Sequence, residues 1–175
     1  MKKSLFIICF IFVSLGSCQS KSSQNNCGNE FKSDVLKMSV CMSPSWSQSV
    51  KGPWTIFSKD DMKISIYMEP VQKVESIESK VDKTIEKDLN DTDYFGMKLV
   101  KKEKIELDGI ETFLVVMHHP EYETENSRQK NNTTFTYYYF YNGNSYGINC
   151  SCYEADCSNH EAFISEFVSE IRMTK

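Results

Sequence analysis

Two turn sequences limit the folds open to this chain more than any other feature. Asp108-Gly109 and Asn142-Gly143-Asn144 each lie between two runs that carry strand signals. A tight hairpin turn needs positive φ, which Asp, Asn and Gly accept most readily. The strand pairs predicted in this way are 99–107 with 110–117, and 135–141 with 145–153. Because hairpins pair their strands antiparallel, the second half of the chain predicts an antiparallel sheet.

The first half adds three strands and a helix. Alternating apolar residues predict a half-buried strand at 38–42, and two further strands are predicted at 54–57 and 62–68. From 75 to 90, apolar residues recur every four positions among charged ones, which predicts a helix with one face on a sheet. The residues of that face are Ile77, Val81, Ile85 and Leu89.

A second helix is predicted at the end of the chain. Ser158 and Glu161 have the spacing of a capping box, which marks a helix start. Its apolar face is expected to consist of Phe163, Ile164, Phe167, Val168 and Ile171. Between the two hairpins, the polar segment 120–132 is expected to be a loop.

The predicted order is three strands, a helix, four strands and a helix. It favours an α+β fold, with an antiparallel sheet of about six to seven strands flanked by helices. The chain has 175 residues, 40% of them hydrophobic, which suffices for one domain with a core. Its net charge of −4 argues against a nucleic-acid partner, which would need a basic face.

The N-terminus has the parts of an export signal. A basic head, Lys2-Lys3, precedes the mostly apolar run 4–15, which is shorter than the roughly 20 residues of a membrane span. Leu15-Gly16-Ser17-Cys18 then resembles the lipobox of bacterial lipoproteins. The resemblance implies cleavage before Cys18 and attachment there of a diacylglycerol and an amide-linked acyl chain such as palmitate. An ordinary signal peptide with a chance cysteine is the alternative.

This interpretation divides the chain into three parts. Residues 1–17 are the expected signal peptide, 18–29 a polar flexible tether, and 30–175 a single domain. The protein is then expected in a bacterial cell envelope, held at the membrane by its lipid. Gln19, rather than Asp, follows the lipidated cysteine, which favours the outer membrane over the inner one where there are two.

Export also determines the oxidation state expected of the cysteines, because thiols outside the cytoplasm tend to oxidise. Of the seven cysteines, five remain after Cys9 leaves with the signal and Cys18 takes lipid. We expect disulfides Cys27–Cys41 and Cys152–Cys157, with Cys150 left as a buried thiol. Alternation places Cys41 on the strand face opposite Met38 and Met42, within reach of the segment that carries Cys27. Cys152 lies at a strand end, from which a short loop leads to Cys157.

The order of elements, with particular residues, resembles the PsbP/Mog-type α/β/α sandwich, including the bacterial DcrB-like lipoproteins. Its marks are Pro44-Ser45-Trp46 after a strand, the apolar run 64–68 before a helix, Leu107-Asp108-Gly109 in a hairpin, Asn142-Gly143 after an aromatic strand, and a final helix with 169–172 at its end. The resemblance spans about 36–173. It implies a non-enzymatic binding or accessory role, with no shared catalytic residues and no cofactor.

Two groups of residues are candidates for metal or catalytic sites. His118-His119 are adjacent on a strand, so their rings point to opposite faces and do not easily share one metal ion. Cys150, Cys152, Cys157 and His160 lack the usual zinc spacing, and an oxidising compartment favours disulfides over thiolate ligands. Neither a metal site nor a catalytic site is therefore predicted.

The aromatic strand 136–141 offers the remaining binding hypothesis. Tyr137, Tyr139 and Tyr141 share one strand face and are candidates to line an apolar groove for a peptide, lipid or glycan. The preferred function is a membrane-tethered envelope lipoprotein that acts as a non-enzymatic binding or accessory module with a protein partner in the envelope. A periplasmic carrier of a small apolar ligand or a metal ion is the alternative. A thiol-disulfide enzyme comes third.

Overall fold

The computed structural model describes residues 29–60, 62–71, 75–91, 96–121, 130–153 and 157–174. These residues form ten strands and two helices. The elements are β1 (Asn29–Ser33), β2 (Met38–Met42), β3 (Ser47–Lys51), β4 (Trp54–Lys59), β5 (Met62–Pro70), α1 (Ile77–Leu89), β6 (Lys98–Leu107), β7 (Ile110–Glu121), β8 (Lys130–Tyr141), β9 (Asn144–Tyr153), α2 (Cys157–Ser169) and β10 (Ile171–Met173).

Seven of the strands form one antiparallel sheet in the order β3-β4-β5-β9-β8-β7-β6. Both predicted hairpins are confirmed. Asp108 and Gly109 have φ values of 49° and 78°, and Asn142 and Gly143 have 47° and 75°. The second turn was predicted one residue too long, because Asn144 already pairs with Tyr141. Each turn therefore has two residues in the left-handed region, which suits the twist of the strands it joins.

Layers cover both faces of this sheet, as the sandwich prediction requires. On one face, α1 packs against Phe113, Val115 and Met117 of β7 and Tyr138 of β8. On the other face, α2 and a second sheet, ordered β1-β2-β10, enclose the larger core. The predicted α+β antiparallel architecture is confirmed, with the three-stranded sheet as an addition.

The three-stranded sheet corrects the expected strand order. The predicted strand 38–42 lies there as β2, outside the main sheet. β1 pairs along one side of it, and β10 pairs Ile171 with Val40 on the other. Ile171 was predicted on the second helix, but it follows the end of that helix and is buried as part of a strand. The prediction failed because β1 has a single apolar residue, Phe31, and β10 has only three residues, so neither shows a period.

The predicted buried face of α1 is confirmed in part. Ile77, Val81 and Ile85 are buried, whereas Leu89 is 43% exposed. Each step of four residues turns about 400° around a helix, so three such steps rotate the stripe by about 120° and carry Leu89 off the sheet. The helix begins two residues later than predicted, because the Ser76 hydroxyl caps it by accepting a hydrogen bond from the Ser79 amide (3.1 Å).

Two boundaries in the second half also differ from the prediction. The α2 helix begins at Cys157, so Ser158 lies in its first turn and does not cap it. Part of the predicted loop 120–132 is strand, because β7 continues to Glu121 and β8 begins at Lys130. Neither of the described helices is long and apolar enough to cross a bilayer.

Candidate binding cleft

The α1 helix covers only part of its face of the main sheet. It lies over β6, β7 and β8. Lys102 of β6 fixes it from one side through an ion pair with Asp82 (2.6 Å), and Lys80 of the helix pairs with Glu69 of β5 on the other. The same face of β9, β5 and β4 carries Asn149, Ser151 and other polar residues that are half-buried or exposed. A cleft lies between the helix and these three strands.

A row of aromatic residues crosses the floor of the cleft. The strand register places Trp54 opposite Tyr67, Tyr67 opposite Gly147, and Gly147 opposite Tyr138. Residues directly opposite one another point to the same face of a sheet. The Trp54 and Tyr67 rings meet edge to face, with centroids 4.8 Å apart.

Gly147 determines how the Tyr67 ring lies. A Cβ at position 147 would be 2.1 Å from Cε1 of Tyr67 and 2.6 Å from its hydroxyl oxygen. The ring therefore rests directly on the backbone of β9, in the space that any other side chain would fill. This close approach brings the Tyr67 hydroxyl beside Tyr138, and each of these two phenols shifts the pKa of the other.

A chain of uncharged polar groups continues from these two tyrosines. Thr136 lies two residues from Tyr138 on the same face of β8, and the Asn149 amide donates to the Thr136 hydroxyl (3.0 Å). Burial raises the pKa of Tyr67, and it raises the pKa of Tyr138 to about 12. Both phenols therefore stay protonated at neutral pH, and the floor of the cleft is neutral.

The end of α1 forms the wall with Thr84, Lys87 and Asp88. Burial raises the pKa of the Asp88 carboxyl, and the nearby Lys87 opposes that shift. The whole cleft has a volume of about 870 Å³, within the range of ligand sites. Its lining consists of Pro53, Trp54, Tyr67, Met68, Glu69, Thr84, Lys87, Asp88, Met97, His119, Asn132, Thr136, Tyr138, Asn149 and Ser151.

The tyrosines predicted to line a groove lie on the opposite face of the sheet. Tyr139 is fully buried and stacks in parallel on Tyr146, with centroids 4.8 Å apart. Tyr141 packs against the same core and donates to the Thr174 carbonyl (3.3 Å). Tyr137 is buried beside a smaller pocket under α2. Tyr139 and Tyr141 therefore pack in or against the core, where α2 and the three-stranded sheet cover that face. Tyr137 lines a pocket of about 320 Å³ under α2, so a ligand groove at this residue stays a prediction.

The cysteines outside this cleft are placed as follows. Cys152 and Cys157 are joined by a disulfide, the pairing expected from the sequence, and Cys150 is a buried free thiol whose pKa burial raises to about 11. Cys41 is also disulfide-bonded. Its predicted partner Cys27, and the predicted lipid site Cys18, lie outside the described residues, so both assignments stay predictions.

The metal and redox hypotheses gain no support from the geometry. His118 and His119 contact different threonines, Thr133 at 3.2 Å and Thr134 at 3.3 Å. Within the described ranges, no group of three or more His, Cys, Asp or Glu side chains is arranged to hold a metal ion. A thiol with a raised pKa is a poor nucleophile, so Cys150 does not suit disulfide exchange.

Sequence reasoning did not identify the cleft. The sequence predicts only strand positions for Trp54, Tyr67 and Asn149 and indicates no binding role for them. One signal was present, since a lone glycine within a predicted strand indicates a bulge or a close approach of another group. Gly147 is such a residue, and it interrupts the 145–153 strand.

The fold defines the class to which this domain belongs. A seven-stranded antiparallel sheet between α1 and the layer of α2 and β1-β2-β10 is the PsbP/Mog-type α/β/α sandwich. Neither a protein-family model nor a curated protein matches the sequence. Several solved structures share the fold.

Three of them show how widely this fold occurs. The cyanobacterial PsbP (CyanoP) of Synechocystis is similar with a TM-score of 0.60 and 12% identity, over 83% of this chain and 91% of that one. The Ran-binding protein Mog1p of Saccharomyces cerevisiae has a TM-score of 0.58 and 8% identity, over 84% and 95%. LpqN of Mycobacterium tuberculosis, involved in cell envelope biogenesis, has 0.52 and 7%, over 79% and 83%. At these identities the likeness establishes the fold.

Proposed function

We propose that this protein is an envelope lipoprotein, tethered to the membrane through Cys18, and that its domain is a non-enzymatic binding module. The observation that carries the proposal is the cleft beside α1. It is open, of ligand size, and built from side chains that several strands and a helix hold in place. The occupant is a ligand or a protein partner of the envelope.

The chemistry of the cleft favours binding over catalysis. Its floor consists of hydroxyl and amide groups, and the Asn149 amide donates a hydrogen bond to the Thr136 hydroxyl. The floor groups are those of Asn149, Thr136, Tyr138 and Tyr67. Such groups donate and accept hydrogen bonds, but at neutral pH they neither remove protons nor act as nucleophiles. The similar folds of a Ran-binding protein and of an envelope protein also support a binding role.

The alternative function, a carrier of a small apolar ligand or a metal ion, has weaker support. An apolar ligand would remove water from the hydroxyl and amide groups of the floor without replacing their hydrogen bonds. The cysteines that once suggested a metal ion are committed to a disulfide or buried in the core.

Membrane attachment is tested by changing Cys18. We expect Cys18→Ser to leave an unprocessed or soluble protein, because the acyl chains provide the lasting attachment. Membrane fractionation and electrophoretic mobility measure this, with Cys150→Ala as the control for loss of a thiol. A Cys18→Ser protein that fractionates and migrates as the wild type does would contradict lipidation.

Occupancy of the cleft is tested by native mass spectrometry after mild extraction from the source membrane. The wild type should carry an additional bound mass, which Asn149→Ala weakens. Val50→Ala is the matched control, because Val50 is 70% exposed and lies outside the cleft. A wild-type protein that shows only its own mass, or a bound mass that Asn149→Ala does not change, overturns the proposed site.

A further inference from the structure

We infer that the cleft takes an uncharged oligosaccharide. This inference rests on the proposed binding function and specifies its ligand. Three features of the described residues carry it, namely the placement of the aromatic rings, the uncharged hydrogen-bonding floor, and the balance of charge around it.

The aromatic rings provide flat surfaces at the cleft. Trp54 is 38% exposed, so part of its ring is accessible from the cleft. Tyr67 lies against Gly147, so that one side of its ring is held on the backbone of β9. The electron-rich face of an aromatic ring attracts the polarised C–H groups on one side of a sugar ring. Because the Trp54 and Tyr67 rings meet at 61°, they form an angled aromatic corner against which one sugar ring can stack. Further sugar units would extend along the polar floor.

The floor next to these rings matches a ligand rich in hydroxyl groups. Asn149 offers both a donor and an acceptor, Thr136 and Ser151 offer hydroxyls, and each hydroxyl both donates and accepts. These groups extend in a row from β8 to β9. A sugar hydroxyl likewise donates and accepts, so it can join this network without leaving a member unpaired.

The charges of the cleft disfavour an ionic ligand. On the wall, Lys87 and Asp88 are neighbours of opposite sign, and at the end of the floor Glu69 is paired with Lys80. A strongly acidic or basic ligand would find no excess of opposite charge among these residues. The carboxylate of Asp88 can instead accept hydrogen bonds from hydroxyl groups.

A peptide strand is also disfavoured, for a geometric reason. The floor is the face of a sheet, where the backbone groups of β5, β9 and β8 already pair with one another. Peptides that bind by strand addition require a free sheet edge. Ligands of this cleft must be held by side chains, as an oligosaccharide would be.

The test uses the natural fluorescence of Trp54. The chain has two tryptophans, so Trp46→Phe leaves Trp54 as the sole reporter. The full mature protein is first applied to an array of neutral and acidic oligosaccharides, and the best neutral trisaccharide is then titrated against the Trp46→Phe variant. We expect saturable change of Trp54 fluorescence, at least tenfold weaker affinity in an added Asn149→Ala variant, and no change in an added Val50→Ala variant.

The array uses wild-type protein, so its result does not depend on the folding of Trp46→Phe. Circular dichroism checks that each variant is folded. Absence of neutral oligosaccharides among the array hits, stronger binding of acidic ones, or an affinity that Asn149→Ala leaves unchanged would overturn the inference. If native mass spectrometry still shows an Asn149-dependent bound species that is not a saccharide, the inference is wrong and the binding function stands. If it shows no bound species either, both are wrong.

Discussion

Gly147→Ala tests the close contact on which the shape of the cleft depends. The new Cβ would lie 2.1 Å from Cε1, 2.4 Å from Cζ and 2.6 Å from the hydroxyl oxygen of Tyr67, where ordinary contacts begin near 3.4 Å. The Tyr67 ring must therefore move by more than an ångström. Trp54, which packs against the ring edge to face, opposes this movement.

Two opposing effects set the magnitude. Inserting a methyl group into a filled space costs about 1–3 kcal/mol. Replacing a glycine inside a strand recovers about 0.5–1 kcal/mol, because alanine loses less backbone entropy on folding. We therefore expect Gly147→Ala to lower the free energy of unfolding by about 1–2 kcal/mol, as measured by urea denaturation of the mature domain.

A double-mutant cycle isolates the contact from the backbone effect. In a Tyr67→Ala background the ring is absent, so Gly147→Ala should be neutral or stabilising by up to about 1 kcal/mol. The fluorescence of Trp54 should also shift in the single variant, since the adjacent ring has moved. Equal destabilisation by Gly147→Ala in both backgrounds would refute the reasoning, because the loss would then not come from the Tyr67 ring.

Three further predictions concern the core and the cysteines. Ile85→Ala should lower the free energy of unfolding by about 2–4 kcal/mol through the cavity it leaves. Leu89→Ala, at an exposed site, should change that free energy, measured by urea denaturation, by under about 0.5 kcal/mol. Similar losses in the two variants would contradict the placement of α1. Burial raises the pKa of Cys150 from 9.0 to about 11, so the folded state holds this proton more tightly, and its contribution to stability, present below pH 9, should be lost as pH rises through 11. Cys150→Ala should flatten the curve of stability against pH between about pH 9 and 11. An unchanged slope in that range would argue against a raised pKa for Cys150. Non-reducing peptide mapping should find Cys27 linked to Cys41, and a peptide joining Cys41 to any other cysteine would exclude that bridge.

The sequence was sufficient for features determined by neighbouring residues. The hairpin at Asp108-Gly109 follows from the local preference of two residues for positive φ, and the structure has that turn. The buried face of α1 follows from spacing along one helix for Ile77, Val81 and Ile85. Such features need no knowledge of the rest of the chain.

The three-stranded sheet lay beyond this kind of reasoning. It pairs Val40 with Phe31 on one side and with Ile171 on the other, so it joins the start and the end of the domain. β10 has three residues, too few to show a period of two. Its position depends on tertiary packing around β2, which propensity does not encode.

The sequence also could not predict which face of the main sheet stays open, because that depends on tertiary packing. Alternation correctly placed Tyr137 and Tyr139 on one face of β8, and the structure packs both into the same core. It also placed Thr136 and Tyr138 on the other face, with no means to tell which face stays open. The answer depends on the width of the layer above each face, because α1 alone does not span seven strands, whereas α2 together with three more strands covers the opposite side.

Gly147 determines the shape of the open side of the sheet, where the proposed binding site lies. It lies on β9, the fourth of seven strands, where a β-branched residue would pack on both neighbours and favour the strand. Glycine there weakens the strand by about 0.5–1 kcal/mol. In return, the Tyr67 ring occupies the space above the β9 backbone that a Cβ at position 147 would take. The local preference of the strand is thus overridden at a position where a larger side chain would displace an aromatic residue of the cleft floor.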